Sequence, residues 1–264
     1  MKTPISVTFD RNVYEFVVNP EKERLPINEK RTYEAIHKMI ESGTILPFIS
    51  ESVFTLETLK RKNSSRKNVL GHRERIITTN SESNGNTSVI TVGSNPYIHP
   101  GNHEKDNEFL AKAIELGFKI LPIYRLGRLV NPAIKAEWRY ILPTDDILEI
   151  PTKFAEIFEV IESNGGGFAW LKVLLNVPDD NSKPWFDYIQ YYTGTDKKFD
   201  AAVAEWSDGD SIAAHIASKI DYFCTNDMAK TAGNKSAFNV KMKALLHEQF
   251  NLNVVAPFDL LNCF

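Results

Sequence analysis

Two cysteines in 264 residues are too few for a disulfide framework or a four-cysteine zinc site. Cys224 falls in a strand-like run and Cys263 near the end, and a reducing cytoplasm is the expected setting. Long hydrophobic runs are also missing. Stretches such as Phe168-Ala169-Trp170-Leu171, closed by Lys172, fall well short of the roughly 20 residues a membrane helix needs. The first residues lead into a strand with no apolar leader or cleavage site, so neither a secretory signal nor a membrane partner is expected. Positive charge is not in excess. A formal net charge of -3 excludes a generally basic nucleic-acid binder and leaves room for a local basic patch. Several catalytic signatures are absent too. Gly165-Gly166-Gly167 follows a helical run and lacks the Lys-Ser/Thr ending of a phosphate loop. No Ser/His/Asp elbow is visible. His99 and His103 lack the further ligands a structural zinc requires.

A composition of 42% hydrophobic and 25% charged residues is ample for a sizeable core. Ile5-Ser6-Val7-Thr8-Phe9 reads as a strand of β-branched and aromatic residues. A helix capped by Asn28 is expected over 29–42, with Tyr33, Ile36, Met39 and Ile40 inward and Gly43 ending it. Thr44 to Ile49 is a second strand, and a helix follows from Ser50 to Leu59. Lys60 to Arg75 is basic and expected to be exposed. A β-hairpin is predicted from Arg75–Thr79 and Thr87–Val92, then a helix over 104–116 and a strand over 118–124. Helical spacing recurs over 132–140, 151–162, 168–175 and 197–206. The strand–helix pattern returns with a helix from Asp210 to Ile220, a strand to Thr225, a helix over 236–250 and a last strand over 253–256. The expected organisation is one α/β core, residues 1–62 and 205–264, interrupted by an insertion of residues 63–204.

Acids stand where the expected strands end. Asp10 closes the first strand, and Thr225-Asn226-Asp227 closes the strand that follows the Asp210 helix. Asp210 and Asp227 are therefore expected at one end of a sheet, where their repulsion would require protons or a divalent cation. Glu57 lies one turn after Val53 and Phe54, so it shares their apolar face. Each acid also has a plainer reading, because Asp10, Asp210 and Asp227 all suit helix or turn caps. Asp208 is the reserve candidate should Asp210 be only a cap. Glu51, in a first helical turn, reads as a partner of the helix dipole.

Phe9-Asp10-Arg11-Asn12, Thr55-Leu56-Glu57, Asp210-Ser211-Ile212-Ala213-Ala214 and Thr225-Asn226-Asp227, in that order, resemble the four acidic motifs of the PIN domain family. Asn253-Val254-Val255-Ala256-Pro257 is similar to its final strand. The resemblance implies a three-layer α/β/α sandwich around a parallel sheet and a Mg²⁺- or Mn²⁺-dependent nuclease, chiefly of RNA. It implies Asp10, Glu57, Asp210 and Asp227 as metal-binding and catalytic acids, with Thr225 and Asn12 beside them. The long insertion departs from compact members of that family.

The chemistry is consistent with such a set. Water attacks an anionic phosphodiester when hard cations held by oxygen ligands neutralise the non-bridging and leaving oxygens, and two metals roughly 4 Å apart serve both ends of the reaction. The expected partner is single-stranded RNA, with room for an inhibitory protein and for a homo-oligomer. Trp185-Phe186-Asp187-Tyr188-Ile189-Gln190-Tyr191-Tyr192 reads first as core and second as a base-stacking platform. Two other functions compete. A phosphohydrolase of haloacid-dehalogenase type would use Asp10 as nucleophile but wants an acid where Asn12 stands. A degenerate module of the same fold would bind RNA or protein without cutting.

Overall fold

The computed structural model describes residues 3–21, 26–59, 66–71, 76–84, 87–94, 101–125, 130–144, 148–179, 183–227, 233 and 236–264. Its centre is a five-stranded, all-parallel sheet. The strands are β1 (Ile5–Phe9), β2 (Ile45–Ser50), β5 (Lys119–Leu121), β6 (Tyr222–Cys224) and β7 (Val254–Val255), in the order β5-β2-β1-β6-β7. Parallel strands covered on both faces carry near-continuous apolar runs, as ISVTF and ILPFIS do.

Alternation along the strands divides the core in two. Val7, Phe9, Ile45, Ile49, Ile120 and Cys224 join one cluster with residues of α1 (Arg11–Val18), α2 (Ile27–Glu41) and α4 (Glu104–Glu115). Phe48, Leu121 and Phe223 join a second cluster with α5 (Glu149–Ser163), α7 (Asp196–Ala217) and α8 (Val240–Phe250). A third cluster packs α3 (Arg66–Gly71) and α6 (Phe168–Leu174) against the first half of α7. Truncating a wholly buried ring such as Phe9 or Phe223 would cost about 3–5 kcal/mol, which is why these positions tolerate little change.

The insertion boundary expected from sequence moves. Strand β5 and helix α4 fall inside residues 63–204, yet β5 pairs with β2 in register Phe48↔Lys119 to Ser50↔Leu121. Part of that span is thus core, added as an edge strand. The expected hairpin forms as β3 (Ile76–Asn84) and β4 (Thr87–Ser94), a separate antiparallel pair. The helix expected over 132–140 does not form. The Asn131 side chain accepts from Ala133 N and donates to Phe54 O, turning the chain so that only Ala136–Trp138 makes a 3₁₀ turn. Tyr140 N then bonds Ile120 O, leaving this segment beside β5.

The largest departure is α7. Two helices, with Asp210 opening the second, are in fact one helix of 22 residues, capped by Thr195. Phe199, Val203 and Trp206 serve the third cluster, while Ile212, Ala213 and Ala214 serve the sheet. The polar stretch Ser207-Asp208-Gly209-Asp210 bridges the two cores without breaking the helix. Gly209 allows this. A Cβ there would stand 3.0 Å from the Cα of Gly167, whose positive φ of 58° turns the chain into α6.

The basic run is also partly folded in. Arg66 is buried in α3 and donates to the carbonyls of Glu57 and Asp200, while Lys67 donates to Tyr192 O. Residues 60–65 and 72–75, together with His99, lie outside the described residues. Trp185 packs against Phe168 and Trp206 at ring distances of 5.0 and 5.3 Å, so its aromatic stretch is core; Tyr191 alone there is a large exposed hydrophobic. Among the described residues no helix is long and apolar enough to cross a membrane.

Candidate functional site

Because all five strands run the same way, their carboxyl ends share one edge, where open α/β sheets hold ligands. Asp10 follows β1 directly. Its backbone extends the ladder by bonding Cys224 O, and its Oδ1 accepts the N–H of Arg11 as the cap of α1. Capping and site membership are therefore combined in this residue. Oδ2 accepts from Thr225 Oγ1 at 2.6 Å and from Asn12 Nδ2 at 2.7 Å. Asn12 Oδ1 accepts Asn226 N, and Thr225 Oγ1 accepts Asp227 N at 2.9 Å. Asn226 Nδ2 reaches the Tyr33 hydroxyl. These bonds lash the loop after β6 to the first turn of α1 and so set Asp227 beside Asp10.

Glu57 arrives by a different device. Val53–Glu57 forms a π-turn, closed by Thr58 N to Val53 O at 3.0 Å, in place of the regular α-helix expected. Such turns shift a side chain away from α-helical phase and occur often at functional sites. Val53, Phe54 and Leu56 stay in the core, whereas Glu57 is only half-buried and accepts from Ser207 Oγ at 2.7 Å. Ser207 is itself held against Ser52, which also bonds Ser211 and the carbonyl of Ser207. Small hydroxyl side chains thus pin α7 to the segment after β2.

The fourth acid is Asp208, not Asp210. A pocket of about 320 Å³ is lined by Asp10, Arg11, Asn12, Glu15, Phe16, Glu57, Asp208 and Asp227. Asp210 is absent from it. Two residues along a helix turn a side chain by roughly 200°. Asp210 is therefore sent to Arg125, which donates to it at 2.7 and 3.0 Å and to Glu162 at 2.8 Å; Trp206 Nε1 adds a bond at 2.9 Å. Of the expected Asp10, Glu57, Asp210 and Asp227, the structure brings three to this pocket and places Asp210 elsewhere. Glu51 does open a helical segment, as expected, and is also buried against Arg139 at 2.9 Å with Ile123 N at 3.4 Å.

Burial raises carboxyls in and around the pocket, Asp210 among them. Burial, then the charge of Glu57, push the Asp10 carboxyl up to about 7, against the opposing bonds from Thr225 and Arg11 N. Asp208 is held well above the usual carboxylate range by burial and then by Asp10, Glu57, Glu205 and Asp227. Glu205, one turn earlier on α7, was missed from the sequence. It is buried, accepts from Ala237 N and Gly167 N, and is raised by burial to about 7. Ser207 was missed too. The signal was available, since Glu205, Ser207 and Asp208 are polar positions in a helix whose flanks are apolar.

Among the described lining residues the metal-ligating groups are carboxylate and amide oxygens, which suit a hard divalent cation. Among the described residues, no three acidic, His or Cys side chains already form a closed ligand group. The acids line a pocket and sense one another's charge, and taking a cation would require them to draw closer. Compared with protein-family models, with characterised proteins and with solved structures, the chain gives no match.

Proposed function

We propose that the protein is a Mg²⁺- or Mn²⁺-dependent nuclease of the PIN-like α/β/α type, hydrolysing phosphodiester bonds in single-stranded RNA. The observation that carries the reading is the gathering of Asp10, Glu57, Asp208 and Asp227, with Glu15, around one pocket at the carboxyl edge of the sheet, with Asp10 and Asp208 held above their ordinary range by burial and then by their neighbours' charge. Acids gathered at such cost call for a counter-charge. Asp10, Glu57, Asp208 and Asp227 would hold the cation, which supplies charge neutralisation on the phosphate and a more acidic water. Thr225 and Asn12 orient Asp10, and Ser207 orients Glu57. No side-chain nucleophile is required.

A direct test is incubation of the protein with labelled single-stranded RNA and DNA in Mn²⁺, Mg²⁺ or excess chelator, beside a folded Asp10→Asn/Asp208→Asn variant. Metal-dependent cleavage by the wild type alone supports the reading. Equal cleavage by both proteins would sink it.

One observation favours a second reading. The acids do not yet form a closed ligand group, as expected of a degenerate module of this fold that binds RNA without cutting. That module would bind RNA equally well in chelator and give no product. A haloacid-dehalogenase mechanism gains nothing, because Asn12 stands where its second acid belongs and is spent on Asp10 and Asn226.

A further inference from the structure

Among the described residues that line the pocket, Arg11 is the one cationic side chain, and its attachments are unlike those of the other arginines nearby. Arg125 bonds Asp210 and Glu162 at 2.7 and 2.8 Å. Arg66 bonds Glu57 O at 2.7 Å, and Arg139 bonds Glu51 at 2.9 Å. The contacts of Arg11 are longer. Its Nη1 lies 3.4 Å from Glu57 O and 3.6 Å from Glu57 Oε2, and its Nη2 lies 3.8 Å from Asp106 Oδ1. Glu57 O already has its short bond from Arg66. A third of the Arg11 side chain remains exposed.

Arg11 is also poorly placed for stability. It is the first residue of α1, whose first turn contains no acid, and a cation at a helix N-terminus opposes the helix dipole. A guanidinium offers five donors in a planar fork that matches phosphate oxygens. Here that fork is loosely held, partly open to solvent and bordering a cluster of acids that would otherwise repel a polyanion.

We infer that Arg11 is a substrate-positioning residue that grips a phosphate next to the one being cut, exchanging its loose pairing with Glu57 for the anion while Asp106 steadies its other nitrogen. The inference rests on the nuclease reading and adds a specific recognition element to it. Arg11 and a bound cation would compete for the Glu57 carboxylate. Removing Arg11 should therefore leave cation uptake unchanged or tighter, and weaken the hold on the polymer.

The test compares wild type with Arg11→Ala, Arg11→Gln and Arg11→Lys, each checked for folding by circular dichroism. Affinity for a short oligouridine in Ca²⁺ is measured across salt concentrations, Mn²⁺ uptake is followed by electron paramagnetic resonance, and KM and kcat are measured in Mn²⁺. The expected result for Arg11→Ala, or for Arg11→Gln should the alanine variant misfold, is a roughly tenfold loss of oligouridine affinity. The slope of log affinity against log salt should shrink by about 0.7, as for one lost phosphate contact on a single strand. KM should rise more than kcat falls, Mn²⁺ affinity should not drop, and Arg11→Lys should lie between. Unchanged oligouridine affinity and salt slope overturn the inference. So does weakened Mn²⁺ uptake with an unchanged slope, which would make Arg11 only a support for Glu57. If both of those results arise in a wild type that binds Mn²⁺ and cuts RNA, the nuclease reading survives. A wild type that neither takes up Mn²⁺ nor binds oligouridine overturns both.

Discussion

Asp208 and Asp210 stand two residues apart on one helix and live in opposite surroundings. Asp210 accepts from Arg125 and Trp206 within 3.3 Å, Arg125 also bonds Glu162 at 2.8 Å, and the aromatic rings of Phe158, Phe168 and Trp206 lie around the same guanidinium. Asp208 faces Asp10, Glu57, Glu205 and Asp227, all acids. Burial of a matched ion pair is a structural device whose members punish removal. A buried group of like charges favours protons or a cation. On one helix the two environments separate a residue buried against a guanidinium from one that lines an acidic pocket.

The comparison breaks most sharply in activity. Replacing Asp208 by Asn should reduce RNA cleavage by more than the roughly 10–100-fold typical of a residue that merely orients a metal ligand, and it should leave the melting temperature unchanged or higher. Gel-based cleavage with a thermal melt checks both halves. Asp210→Ala should do the reverse. Stripping Arg125 of its closest partner should cost about 3 kcal/mol in denaturant unfolding, toward the low end for a buried pair because Glu162 remains, while the activity of the folded fraction persists.

A smaller effect should come from Gly209, which lies between the two acids. Gly209→Ala places a methyl 3.0 Å from Gly167 Cα and should destabilise by about 1–3 kcal/mol, read from the denaturation midpoint. Smaller still is a pH effect on the metal-free protein. The carboxyls of Asp10 and Glu205 are raised from 3.8 and 4.5 to about 7, so their contribution is fully present below those ordinary values and lost as pH rises through about 7. His215 works oppositely. Burial against Thr8 Oγ1 lowers it from 6.5 to about 3, so its contribution is present above 6.5 and lost as pH falls toward 3. Melting curves between pH 5 and 8 in chelator should therefore decline toward the alkaline end, with Mn²⁺ removing the decline. A flat profile with no Mn²⁺ effect would mean the acids are not electrostatically frustrated.

Much of the sheet was legible because parallel strands buried on both faces announce themselves as short apolar runs. The acids at their ends followed from that reading, and Asp10 and Asp227 do share one pocket. The error at Asp210 has a definite cause. Gly209-Asp210 carries the local chemistry of a helix start, but Gly209 is there because α6 approaches at Gly167, a contact between residues 42 positions apart that no local window contains. Glu57 was found by its spacing, although the π-turn that turns it toward the pocket was not, since nothing in Val53-Phe54-Thr55-Leu56 distinguishes a π-turn from an α-turn. Glu205 and Ser207 stand out in the sequence as polar positions in an apolar helix, but their partners, Ala237 N and Glu57, depend on tertiary approach and are not legible there. Strand β5 was recognised as a strand, but its pairing with β2 was not, because edge strands are assigned by topology rather than by composition.

A divalent-cation site at the carboxyl edge of this sheet would depend on Asp208 and not on Asp210. The most direct test is a Mn²⁺ titration of wild type, Asp208→Asn and Asp210→Asn, each confirmed folded, followed by electron paramagnetic resonance. The account predicts that wild type and Asp210→Asn take up Mn²⁺ alike, while Asp208→Asn loses the tight site. Loss in Asp210→Asn with retention in Asp208→Asn would contradict it, and so would equal uptake by all three proteins.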